Sequence, residues 1–206
     1  MRPQHVNIHF YENLNTKKSF VHLSGNYKNV AASDPEPLIE PLASFVDIEN
    51  TKAIASYAPE YKFRYWAESI SSEWKEPSIA IKARTKNIDS IAVTLKSNRN
   101  ASRIILLLPE ASKLKSFNIG SQTINVLPTT SGLFKGYYSI YLNGVYDKQI
   151  DLILNFENYT KETKGYLMDI STKLPGHLDE IYQARSGIFS PVHRGDQAVL
   201  IKTVTI

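Results

Sequence analysis

The sequence predicts an all-β fold, an antiparallel β-sandwich of jelly-roll-like character with an N-terminal hairpin and at most one short helix. Three observations carry this. Short runs rich in Val, Ile, Leu, Tyr and Phe recur with period-two alternation from His5 to the last residue. Short polar or glycine-bearing links separate many of them, with no helical pattern between. The chain closes on Ala198-Val-Leu-Ile-Lys-Thr-Val-Thr-Ile206, a β-branched run that needs partner strands to bury it. At 206 residues a single domain over 1–206 is expected, with a hairpin at 1–24, a Pro-rich surface crossing at 25–50 and the main sandwich at 51–206.

Taken in order, His5-Val-Asn-Ile-His-Phe-Tyr11 alternates Val6, Ile8 and Phe10 against His5, Asn7, His9 and Tyr11, as a strand with one buried face does. Ser19-Phe-Val-His-Leu23 is its partner, and the polar loop between them makes a hairpin. Pro35, Pro37 and Pro41 then exclude a regular helix or a central strand over the crossing. From Thr51 to Glu76 the pattern is irregular and aromatic, with Tyr57, Tyr65, Trp66 and Trp74 among its rings. Rings of this size favour the core, and an aromatic binding face is the alternative. Strand signals then become dense at 78–84, 90–96, 103–108, 116–119, 122–126, 136–142, 149–156 and 165–170. Leu178 to Ala184 is the one candidate helical turn. No internal repeat of fixed period appears.

Composition excludes several classes. There is no cysteine, so no disulfide framework and no thiolate metal site. The longest apolar run, Ile104 to Leu108, is far short of the roughly 20 residues of a membrane-crossing helix. No signal-peptide pattern follows Met1, which implies either a cytoplasmic protein or a piece of a longer chain cut just before its first strand. The net charge of +4 is uneven: residues 31–60 carry six carboxylates against Lys52 alone, and Lys82, Arg84, Lys96, Arg99 and Arg103 follow along the strands. These cations are interspersed and form no block, so a nucleic-acid partner is not expected.

Candidate chemistry is sparse. His5 and His9 have the i, i+4 spacing of a helical zinc pair, but on a strand they stand roughly 13 Å apart, too far for one zinc ion. His22 would lie opposite His9 in one hairpin register, a two-histidine site with no identifiable third ligand. His193 and Asp196 flank Gly195 close to Ser190, which invites a Ser-His-Asp reading. Nothing like a nucleophile elbow accompanies them, and a loop held by Pro191 and Gly195, with Arg194 and Asp196 in hydrogen bonds or an ion pair, is preferred.

Both ends resemble a known family. Arg2-Pro-Gln-His-Val-Asn-Ile-His-Phe-Tyr11 with Lys18-Ser-Phe-Val21, Tyr166-Leu-Met-Asp-Ile-Ser-Thr-Lys-Leu-Pro-Gly176, and Ala184-Arg-Ser-Gly-Ile-Phe-Ser-Pro-Val-His-Arg-Gly-Asp196 are similar to the C-terminal extracytoplasmic β domain of membrane-bound zinc metallopeptidases of the aminopeptidase-like family. That family includes the endoplasmic reticulum metallopeptidase and the vacuolar membrane protease. The resemblance implies a non-catalytic accessory domain that supports or positions the catalytic domain or its substrates. It implies a location in the periplasm or lumen, tethered to the membrane through a parent chain whose catalytic and transmembrane parts are its partners. The zinc and the general base would belong to the catalytic domain of that parent, so no cofactor, metal ligand or catalytic residue is assigned to this chain. Arg185, Pro191, His193, Arg194, Gly195 and Asp196 are the motif positions, expected to hold the terminal loop. The alternative is a freestanding sandwich that binds glycan or peptide on a face made by Tyr57, Tyr65, Trp66 and Trp74.

Overall fold

A computed structural model describes residues 5–25, 40–47, 50–84, 89–159, 162–186, 191 and 195–206. Over the described residues the architecture is all-β, with two sheets and one short helix. The chain forms two compact units, Met1–Ser72 with Ser171–Val199, and Glu73–Ile170 with Leu200–Ile206. No linker composition marks a boundary near Ser72, which is why the sequence suggested none.

In the first unit β1 (Val6–Asn13) and β2 (Lys18–Gly25) form the expected antiparallel hairpin. Its turn is an Asx turn: the Asn13 carboxamide oxygen accepts the N–H groups of Asn15 and Thr16 at 3.1 and 3.2 Å. The register places His9 opposite His22. A short strand, β3 (Trp66–Ser69), pairs with β2 from inside the stretch that reads as irregular. The strand order is β3-β2-β1 followed by the start of β12 (Gln197–Thr205). In the Pro-rich crossing, residues 26–39 and 48–49 lie outside the described residues; a 3-10 turn forms at Glu40–Phe45 and buries Leu42. Proline at its second position is compatible with a helical start, where the missing N–H would have no partner.

The helix α1 (Asp179–Ser186) follows a 3-10 turn at Gly176–Leu178. Asp179 and Glu180 occupy its first turn and Arg185 its last, the charge order that suits the helix dipole. Leu178, Ile181 and Arg185 are buried together on one face.

The second unit is the sandwich proper. One sheet runs β4 (Ser78–Arg84), β5 (Ser90–Lys96), β10 (Gln149–Phe156), β7 (Leu114–Ile119) and β8 (Gln122–Asn125); the other runs from β12 through β11 (Lys164–Ser171) and β6 (Arg103–Pro109) to β9 (Tyr137–Asn143). Ile91, Val93 and Leu95 of β5 and Leu152, Leu154 and Phe156 of β10 meet Ile104, Leu106 and Leu108 of β6 and Tyr138, Ile140 and Leu142 of β9 in one core. Ile105 and Leu107 are buried too, so β6 is covered on both faces. That is why it reads as an unbroken apolar run.

Candidate functional site

The motif residues at the chain ends converge in the first unit. α1 carries Arg185 inward at 1% exposure. Its Nη1 donates to the Val6 carbonyl at 3.0 Å and to Asp196 Oδ1 at 3.0 Å, and its Nη2 donates to Asp196 Oδ2 at 2.6 Å. Asp196 Oδ1 also accepts the backbone N–H of Ile8 at 2.9 Å. The guanidinium carbon stands 5.0 Å from the centre of the Tyr182 ring. Gly195, immediately before Asp196, has φ of +66°, a left-handed conformation that glycine adopts without a steric cost. One carboxylate and one guanidinium thus join the last turn of the helix, the lead-in to β12 and the start of β1. The pair is bidentate and charge-assisted, the geometry that favours Arg over Lys.

Arg185, Gly195 and Asp196 thus lie at the end of α1 and the approach to β12; residues 187–190 and 192–194, most of the loop they are expected to hold, lie outside the described residues. Pro191 is exposed. His193 and Arg194 lie outside the described residues, as does Ser190, so the Ser-His-Asp reading has no described geometry. Both carboxylate oxygens of Asp196 are engaged by Arg185, with Ile8 as a further donor, which makes the residue a tie between elements.

The four rings weighed as a binding face have other roles. Tyr57 and Tyr65 are 6% and 8% exposed, so their rings lie in the interior and present no platform. Trp66 is half-buried: Lys52 Nζ stands 4.1 Å over its ring, its Nε1 donates to the Asn50 carbonyl at 3.0 Å, and Phe20 packs edge-on against it. Trp74 belongs to the second unit, where the Arg99 guanidinium lies 4.5 Å over its ring. The face drawn from the sequence is corrected accordingly: burial of the two tyrosines removes half of it.

His9 and His22 do meet, and as a stack. Their rings are 4.7 Å apart and 8° from parallel, and the Phe63 ring lies 4.7 Å from His22. The Ser24 hydroxyl is 2.6 Å from His9 Nε2. Burial pushes His22 down to about 3, with the His9 ring adding to the effect. Burial likewise pushes His9 down to about 4, against the pull of Asp196. The hairpin face that reads as polar in sequence is thus largely covered. Among the described residues no group of three His, Cys, Asp or Glu converges as a metal set.

Two clusters pair residues that no local sequence pattern links, although Asp169 itself lies in one of the family motifs. In the second unit Asp169 is fully buried; Ser97 Oγ donates to its Oδ2 at 2.6 Å, Arg99 Nε donates to Oδ1, and Arg99 Nη2 donates to its backbone carbonyl at 3.0 Å. Burial pushes its carboxyl up, and Arg99 and Ser97 pull it down. In the first unit Ser69 Oγ lies 2.9 Å from His177 Nε2, and burial lowers the histidine's pKa against the nearby Glu12 charge. Partners 70 and 108 residues apart are joined only by the fold.

No protein-family profile matches the chain, and no curated protein matches it in sequence.

Proposed function

We propose that this chain is a non-catalytic accessory β domain of a membrane-bound zinc metallopeptidase of the aminopeptidase-like family, facing the periplasm or lumen, where it supports or positions the catalytic domain or its substrates. One observation carries the reading. The residues through which the two ends resemble that family's domain meet: Arg185 and Asp196 of the final motif bond to Val6 and Ile8 of the opening motif, across 179 and 188 positions of sequence. Asp169, from the remaining motif, is a fully buried anchor. Motif residues in such roles act on the fold, as an accessory domain requires, and zinc chemistry in this reading belongs to the parent chain's catalytic part.

The test is the reading frame upstream of the Met1 codon. The expected result is an open frame that encodes several apolar spans preceded by a His, Asp and Glu zinc-ligand set. A stop codon immediately upstream would overturn the proposal.

A further inference from the structure

Beside β3 in the first unit lies a groove of about 310 Å3, and we propose that it binds an extended peptide segment bearing one aliphatic or aromatic side chain and a nearby cation, added as a strand to the outer edge of β3 at Glu68. The inference does not rest on the peptidase reading.

The backbone sets the class of partner. β3 is the end strand of the order β3-β2-β1, so among the described residues its far side has no neighbouring strand. Leu23 N–H donates to the Tyr65 carbonyl at 2.9 Å, and the β2–β3 register continues from that pair through Val21↔Ala67 and Ser19↔Ser69. Alternate residues of an antiparallel ladder point their N–H and C=O groups to opposite sides. Tyr65, Ala67 and Ser69 thus bond toward β2, while Trp66 and Glu68 turn outward. At Trp66 the chain itself is the antiparallel neighbour: Asp47 N–H donates to the Trp66 carbonyl at 2.6 Å, and Phe45, two residues earlier, lines the groove. The next outward residue, Glu68, has no main-chain partner on this side among the described residues. An N–H and a C=O on a strand edge with no partner among the described residues call for extended backbone.

The groove sets the side chains. Val21, Ala67, Leu178 and Ile181 give it an apolar floor, and Ile70, 67% exposed, stands at its rim. By alternation the Glu68 side chain belongs to the opposite face, where its carboxylate holds Lys52 at 2.9 Å. Glu180 lines the groove and has no ion pair among the described residues, which leaves one negative charge for an incoming cation. An apolar side chain on the floor and a cation two positions along the same strand face, roughly 7 Å away, fit these features. A small apolar ligand would fill the floor and leave the Glu68 main chain without a partner.

The test uses the 206-residue chain and fluorescein-labelled nonapeptides in which a central Leu is followed two positions later by Lys, the other positions being Ser or Thr. Fluorescence anisotropy is expected to show saturable binding. N-methylation of alternate amides on one edge of the peptide abolishes it, and N-methylation of the intervening amides does not, the parity that strand addition demands. Glu180→Lys, an exposed change, weakens binding about tenfold, a loss of ~1.4 kcal/mol, and a peptide with Glu in place of Lys recovers it. Ala67→Phe, which fills the floor, abolishes binding. The proposal is overturned if no peptide binds saturably, if both sets of N-methylated peptides bind alike, or if Glu180→Lys leaves affinity unchanged.

Discussion

Arg185 shows how one side chain can hold two ends of a chain. Removing it leaves Asp196 with an uncompensated charge, 11% exposed, and the Val6 carbonyl without its donor. Breaking one partner of such a pair costs about 3–5 kcal/mol. Arg185→Met is therefore expected to lower the unfolding free energy by that amount, read as a lower urea midpoint at unchanged slope, and adding Asp196→Leu recovers part of the loss, because the stranded charge is gone. Equal midpoints for Arg185→Met and wild type would show that the pair contributes nothing. A second residue-scale expectation concerns the His9–His22 stack. Both rings titrate far below their ordinary value of 6.5, at about 4 and about 3. Between those limits the unfolded chain takes up protons that the folded chain refuses, so stability falls as pH drops from 6.5 toward 3. The slope is up to ~1.4 kcal/mol per pH unit for each ring. His22→Phe keeps a ring beside Phe63 and is expected to flatten the dependence of urea midpoints between pH 7 and pH 4.5. The raised carboxyl of Asp169 works in the opposite sense near the lower end and is common to both proteins, so the difference between them isolates the stack.

At the scale of elements, period-two alternation located strands such as β5 and β9, whose alternate residues enter the packed core. β4, β5 and β10 match the sequence reading residue for residue. β3 escaped because Trp66-Ala-Glu-Ser69 is only four residues long and no position in it is fully buried, so it carries no alternation to read. The helix was legible as a turn and ran two residues further, with the buried Arg185 in its last turn in place of an apolar residue. Close approach between strands leaves a different kind of mark. Gly165 opens β11 beside β6, and a Cβ there would press on the Leu107 carbonyl and lie 2.8 Å from Leu108 Cδ2. Backbone cannot yield as a flexible side chain does. Gly165→Ala is expected to destabilise by at least ~2 kcal/mol, read as a fall in Tm of several degrees, whereas Gly176→Ala, with open space around it, is expected to leave Tm almost unchanged.

For the molecule as a whole, fold class was legible and the long-range pairings were not. Asp169 with Arg99 and Ser69 with His177 are products of topology, and no local pattern encodes a partner 70 or 108 positions away. Arg185 and Asp196 stood out as motif residues, yet their bonds to β1 depend on where the first strand lies. The terminal strand reveals most about the whole, because its residues divide between the units: Gln197–Val199 lie in the first and Leu200–Ile206 in the second. Leu200, Ile201, Val204 and Ile206 are all buried, the Tyr159 hydroxyl donates to the Ile206 carbonyl, and Thr163 and Ile206 exchange backbone hydrogen bonds at 2.8 and 2.9 Å. Burial of each such side chain contributes about 1.5–3 kcal/mol, so deleting Leu200–Ile206 removes on the order of 6–12 kcal/mol before any hydrogen bond is counted. A domain is stable by only about 5–15 kcal/mol. The truncated chain is therefore expected to lose cooperative unfolding and the near-ultraviolet circular dichroism of its packed tyrosines, while Ile206→Ala alone, leaving the strand in place, lowers the urea midpoint and keeps the transition. A truncated chain that still unfolds cooperatively would mean that the sheet closes without its last strand.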